Sequence, residues 1–186
     1  MVGRDVFTDK VAGLLLGMVV GDALGLPREG LSRRRAMRMY GGKPLKHCLI
    51  ARRGMVSDDT EHACMVAQAI LASGGDEKVF VRSLAWRLRL WLLGVPAGGG
   101  LATLRGICKL WLGFPPDKSG VWSAGNGPAM RSPVLGVYAG DTPQSLVKLV
   151  RASTRLTHTD ERAEQGALAV AIACHYGSKR KAEQVD

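Results

Sequence analysis

Ser57-Asp58-Asp59-Thr60-Glu61 leads straight into His62-Ala63-Cys64-Met65-Val66-Ala67-Gln68-Ala69-Ile70-Leu71-Ala72, and the run stops at Ser73-Gly74-Gly75. The spacing predicts a helix over Asp59–Ala72, with Ala63, Val66, Ala67, Ile70 and Leu71 on one apolar face and a glycine stop signal behind it. Asp58 followed three residues later by Glu61 has the spacing of a capping box, and acidic residues in a first turn suit the helix dipole. Taken alone, the pentapeptide reads as a helix N-terminus. Its second reading is a metal site: adjacent carboxylates repel when ionised, a divalent cation turns that repulsion into binding, and all-oxygen ligands favour Mg²⁺, Mn²⁺ or Ca²⁺ over Zn²⁺.

The same helical grammar continues outward. Asp76 can cap a helix through Val79, Leu84, Trp86, Leu90 and Trp91 to Gly94, and further helices are predicted over Leu101–Leu112, Pro128–Tyr138, Pro143–Leu156 and Glu161–Tyr176. Segments alternating with period two are lacking, so the prediction is an all-α single domain over residues 1–186. Upstream, glycines at 13, 17, 21 and 25 recur every fourth residue and form one smooth ridge on a helix, which predicts a buried central helix from Val11 onward. The apolar run Val11–Gly21 is too short to span a bilayer, and Asp5, Asp9 and Asp22 spoil a signal peptide.

Composition sets wide bounds: 46% hydrophobic and 23% charged residues describe a soluble globular chain. Cys48, Cys64, Cys108 and Cys174 form no C-x-x-C pair, and Cys64 and Cys174 lie in apolar helical patterns, so buried reduced thiols of a cytoplasmic protein are expected. The net charge of +10 suits anionic partners. Its densest groups are Arg33-Arg34-Arg35, Arg52-Arg53 and Lys179-Arg180-Lys181, without interleaved aromatics, so a solvated basic surface ranks above nucleic-acid binding.

Three more segments accompany the acidic pentapeptide: Gly21-Asp22-Ala23-Leu24-Gly25-Leu26-Pro27-Arg28-Glu29, Ala124-Gly125-Asn126-Gly127-Pro128-Ala129-Met130-Arg131, and Leu156-Thr157-His158-Thr159-Asp160. In this order the four segments resemble the ADP-ribosylglycohydrolase family, over about Val11 to Gly177. The resemblance implies a hydrolase that removes ADP-ribose from an ADP-ribosylated protein or related conjugate with two Mg²⁺ or Mn²⁺ ions. It implies Ser57, Asp58 and Asp59 as metal ligands, Glu29, Asp58 and Asp59 as the catalytic acids, and Glu29 over the substrate ribose. Glycosidic cleavage suits such a centre, because its ribose passes through an oxocarbenium-like state that needs charge stabilisation and an oriented water.

Asp22 is expected to be a hydrogen-bonded structural carboxylate, since unpaired burial would be costly. Gly98-Gly99-Gly100 ahead of a helix offers backbone N–H groups as a phosphate cradle, with a plain flexible loop as the alternative. By resemblance, Gly99, Gly100, Ser123, Gly125, Asn126, Gly127, Met130, Arg131 and His158 bind substrate; Arg131 could equally hold a buried ion pair. His47, His62 and His175 are read as structural. The chain departs from the family in one respect: no D-x-D-T segment, which completes the metal site in relatives, follows His158. A shortened domain, a weak catalyst and self-association through surface exposed near the glycine ridge are therefore expected, with a non-catalytic crystallin-like relative as the runner-up and a basic nucleic-acid binder third.

Overall fold

The computed structural model describes residues 6–41, 43–49, 53–96 and 98–179, with side chains from residue 9 onward. Arg52 of the second basic group, Asp5, Ala97 of the Pro96–Gly100 loop and the tail from Arg180, including Lys181, lie outside the described residues. The described chain is helical: α1 Val6–Gly25, a single 3₁₀ turn Leu26–Arg28, α2 Arg33–Tyr40, α3 Asp58–Ser73, α4 Glu77–Leu93, α5 Leu101–Trp111, α6 Gly127–Arg131, α7 Pro133–Ala139, α8 Pro143–Arg155 and α9 Glu161–Lys179. Among the described residues extended pairing is confined to isolated bridges, such as the parallel one between Val121 and His158. The fold is an all-α single domain, as the patterning predicts.

Local chemistry accounts for most boundaries. Ser57 caps α3 and Gly74 ends it in the left-handed conformation at φ 55°. Asp76 caps α4 as expected, accepting from Val79 N at 2.9 Å. The predicted helix Pro128–Tyr138 is two helices, because Pro133 begins a new one after Ser132 and its ring leaves no N–H to continue α6. Helix α2 escapes apolar periodicity altogether: it has no buried residue, and Ser32 caps it by accepting from Arg35 N.

The centre of the molecule is α3, which packs on α1, α4, α6 and α7, while α9 receives α6, α7 and α8. Ala63, Val66 and Ala69 are fully buried, and Met65 and Ile70 complete the face. Leu71, predicted to share that face, is 83% exposed and lies at the edge of a surface cavity that Val11, Val134 and Tyr138 also line.

The predicted buried central helix at Val11–Gly25 is corrected by the structure. Leu14, Leu15 and Met18 of α1 pack against the core, but Leu16 is 65% and Val20 50% exposed. A Cβ built at Gly13, Gly17, Gly21 or Gly25 would meet nothing within 4 Å among the described residues. The helix is also longer than the apolar run suggested: the stretch Asp9–Arg28, with mean hydropathy 1.5 and 6% of it buried, is long and apolar enough to cross a membrane by length and composition. Cys64 and Cys174 are half-buried rather than enclosed, Cys48 and Cys108 are exposed, and all are free thiols.

Candidate functional site

The acidic pentapeptide is anchored by the end of α1. Asp22 accepts from Ser57 N (2.8 Å), Ser57 Oγ (2.8 Å), Thr60 N (3.3 Å) and Thr60 Oγ1 (2.6 Å), so one carboxylate satisfies the N-terminus of α3 and fixes the α1–α3 junction. The structural role expected for Asp22 is therefore observed. The capping box expected from Asp58 and Glu61 is not: Ser57 is the cap, its Oγ accepting from Asp59 N at 3.4 Å, and Glu61 instead accepts from Trp91 Nε1 at 2.6 Å.

This arrangement leaves Asp58 and Asp59 at the mouth of the junction. Asp58 is buried and Asp59 half-buried, and no cationic side chain among the described residues pairs with either. Burial, then the charges of Asp59 and Glu29, push the Asp58 carboxyl up to about 6; burial, Asp22 and Glu29 raise Asp59 as well. Asp22, Glu29, Asp58 and Asp59 thus share one corner whose negative charge no cationic side chain among the described residues offsets through an ion pair. Their hard oxygen donors fit a divalent cation such as Mg²⁺ or Mn²⁺ in chemistry. They do not converge into a coordination shell: among the described residues no three His, Cys, Asp or Glu side chains are placed to hold one ion.

The glycine loop adjoins this corner. Gly98 has φ +92°, and a Cβ there would lie 2.6 Å from Asp58 Oδ1, so only glycine lets the backbone pass so close to the carboxylate. Gly99, at φ +101°, rests on Trp91 and Leu104, and Gly100 is the N-cap of α5 without a side-chain bond. Its helix then delivers Thr103 to a second cluster: a Cβ at Gly127 would lie 2.8 Å from Thr103 Oγ1 and 2.9 Å from His158 Cε1, and one at Gly125 3.0 Å from His158 Nε2.

That cluster is held by short strand-like pairing. Gly120 N donates to Arg155 O (3.0 Å), Val121 N to Thr157 O (3.1 Å) and Thr159 N to Val121 O (2.9 Å), which pins the loop through Ser123, Gly125 and Asn126 over His158. Ser123 Oγ accepts from Gly125 N at 3.1 Å; Asn126 is exposed and Met130 half-buried. His158 is 2% exposed, and burial together with the Arg131 charge lowers it to about 4, so it is neutral at physiological pH.

Arg131 is placed differently from the other candidates. It is wholly buried, donating from Nε to Ser153 Oγ (3.0 Å) and from Nη2 to Ser153 O (2.8 Å) and Thr157 Oγ1 (2.6 Å). Among the described residues its partners are all neutral oxygens, so the buried ion pair is not seen, and its complete burial turns it away from a ligand-facing position. Burial lowers the guanidinium to about 9, still protonated near neutrality. His62, also fully buried, lies edge-on to Trp91 at 4.4 Å between centroids and is kept neutral by burial and by Arg131. His175 is likewise buried, whereas His47 is exposed.

The structure therefore brings Ser57, Asp58, Asp59 and Gly98 into one cluster and Ser123, Gly125, Gly127 and His158 into another, with α5 between them. Glu29 is exposed on the turn after the 3₁₀ segment, near enough to act electrostatically on both aspartates. Sequence reasoning missed Thr103 and the role of Thr157: Thr103 carries no local signal, and Thr157 was visible only as the neighbour of His158.

A family profile for ADP-ribosylglycohydrolase matches residues 4–186. The chain is 32% identical to an uncharacterized protein of Archaeoglobus fulgidus over 173 residues, covering 89% of this chain and 54% of that one. It is 28% identical to the ADP-ribosyl-[dinitrogen reductase] glycohydrolase of Rhodospirillum rubrum over 184 residues, covering 95% and 60% respectively. A solved ADP-ribosylglycohydrolase-related protein complex superposes with a TM-score of 0.64 at 30% identity, over 93% of this chain and 57% of the other. The chain thus spans little more than half the length of the relatives it matches. With the acidic helix start, the glycine loop and the Thr-His segment in one fold, and the family profile running nearly end to end, the chain belongs to the ADP-ribosylglycohydrolase family.

Proposed function

We propose that this chain contributes the ADP-ribose-facing part of a hydrolase acting on an ADP-ribosylated protein or a related ADP-ribosyl conjugate. The observation that carries the reading is the uncompensated acidic corner beside Gly98, with Asp58 pushed up to about 6 and no cationic side chain among the described residues to neutralise it. Ser57, Asp58 and Asp59 are the residues that would hold Mg²⁺ or Mn²⁺, and when bound the cation supplies charge stabilisation at the ribose. Glu29 orients the ribose or a water from the exposed side. The N–H groups of Gly99 and Gly100 at the start of α5, with the Ser123–Gly127 loop and Met130, take the pyrophosphate and ribose. His158, neutral, serves as a hydrogen-bond partner for the ligand, while Arg131 acts from beneath through Thr157. The similarity to the ADP-ribosyl-[dinitrogen reductase] glycohydrolase of Rhodospirillum rubrum supports this substrate class.

Calorimetry with Mn²⁺ tests the acidic corner: Asp58→Ala or Asp59→Ala should weaken binding at least tenfold, and unchanged affinity in both would leave only a capped helix. Release of ADP-ribose from a modified protein tests turnover. The second reading, a relative that binds ADP-ribose without hydrolysing it, is favoured by the lack of a three-residue ligand group among the described residues. Binding of ADP-ribose without turnover, also when the chain is extended by the remaining length of a relative, would select it.

A further inference from the structure

We infer that Arg131 and Thr157 form a one-way hydrogen-bond relay that fixes His158 as the tautomer with its proton on Nε2, aimed at the loop of Gly125 and Gly127. This rests on the proposed reading of His158 as a ligand contact. Arg131 can only donate, and its Nη2 gives a hydrogen to Thr157 Oγ1 at 2.6 Å. Thr157 is fully buried, so its own hydroxyl proton needs an acceptor within the protein. Among the described residues the one other polar atom bonded to that oxygen is His158 Nδ1, at 2.9 Å. Nδ1 must therefore accept, which leaves the ring proton on Nε2. The opposite tautomer would put two donors onto Thr157 and strand its hydroxyl hydrogen in the interior.

The outward end of the relay is open to function. Nε2 lies 3.0 Å from where a Cβ on Gly125 would sit, so glycine keeps the N–H unobstructed beneath the exposed loop. Ser153 holds Arg131 through two further bonds, fixing the start of the chain without contacting His158. His158 is thus a fixed donor for a ligand oxygen, ribose hydroxyl or phosphate, and Arg131 and Thr157 are positioning residues.

The test is long-range ¹H–¹⁵N correlation NMR of the histidine rings in the 186-residue chain, with ADP-ribose binding followed by calorimetry. Wild type should show a bare Nδ1 and a protonated Nε2, and ADP-ribose should shift the Nε2 proton. Thr157→Val should release the ring to the other tautomer or a mixture and weaken ADP-ribose about tenfold, the loss of about one hydrogen bond. Thr157→Ser should restore both readouts. Ser153→Ala, which loosens Arg131 without removing the relay, should keep the tautomer. A wild-type ring protonated on Nδ1, or an unchanged Nε2–H form in Thr157→Val, would overturn the relay. The expected tautomer in a chain that does not bind ADP-ribose would instead sink the ligand reading and leave the relay standing.

Discussion

Two helices of this protein carry small residues at the same four-residue spacing, and the fold uses them in opposite ways. On α9, Ala163, Ala167 and Ala171 are all buried. Against them α7 brings Gly136, where an added Cβ would collide with the Ala171 backbone, and the glycine that caps its C-terminus, Gly140, where it would collide with the His175 ring. On α1, Gly13, Gly17, Gly21 and Gly25 face open space among the described residues. The α7–α9 seam is finished. The α1 face is not, and its C-terminal end leads into the acidic corner, which among the described residues lacks a counter-charge in the same way that the ridge lacks a neighbour. A smooth stripe of small residues states that close approach is allowed, not that it occurs.

The largest effect should come from filling the finished seam. Gly136→Ala is expected to cost about 3 kcal/mol, because the new methyl meets backbone that cannot rotate away, as read by chemical denaturation. A loss below about 1 kcal/mol would mean that α7 and α9 separate easily and that the contrast with α1 is weak.

Next comes the acidic corner. The Asp58 carboxyl is raised from 3.8 to about 6 in the fold, so the native state holds that proton more tightly than the unfolded chain. Its contribution is fully present below about pH 4 and is lost as pH rises to about 6. Asp58→Asn should therefore gain about 1–2 kcal/mol on wild type across that window in metal-free buffer, and hold the gain above it. A wild-type-minus-variant difference that stays flat from pH 4 to 7 would show that the corner is already compensated.

A smaller effect is expected on the open ridge. Gly17→Ala should stabilise the chain by about 0.5–1 kcal/mol, since the methyl meets nothing and removes the backbone freedom of glycine. Destabilisation would mean that something covers the ridge in solution. The smallest effect on stability belongs to Leu16→Lys, within about 0.5 kcal/mol, because Leu16 is 65% exposed. Its readout is light scattering, where less self-association than wild type is expected if the bare apolar face of α1 is sticky.

Much of the fold was legible because it rests on local signals. The helix starts at Asp76, Leu101 and Pro143 and the stop at Gly74 follow from caps and breakers a few residues long. The acidic pentapeptide, the triple glycine and the Thr-His pair were visible as motifs for the same reason. Thr103 was not visible, since its place beside Gly127 and His158 depends on how α5 crosses the loop after Val121. Arg131 reads from the sequence either as a ligand contact or as a buried ion-pair partner, and only the packing shows the three neutral oxygens it bonds.

By itself the sequence determined most of the helical segments, α2 and the break between α6 and α7 excepted, where most of them begin and end, and which side chains bring charge, because capping, proline geometry and apolar period act within a turn or two of chain. Only the tertiary structure decided that α3 and not α1 is central, that Asp22 ties α1 to α3, and that Arg131 points inward to Thr157. Those outcomes depend on which surfaces meet. A helix face is written in its own residues, but the partner that buries it, or leaves it bare, is written in all the others.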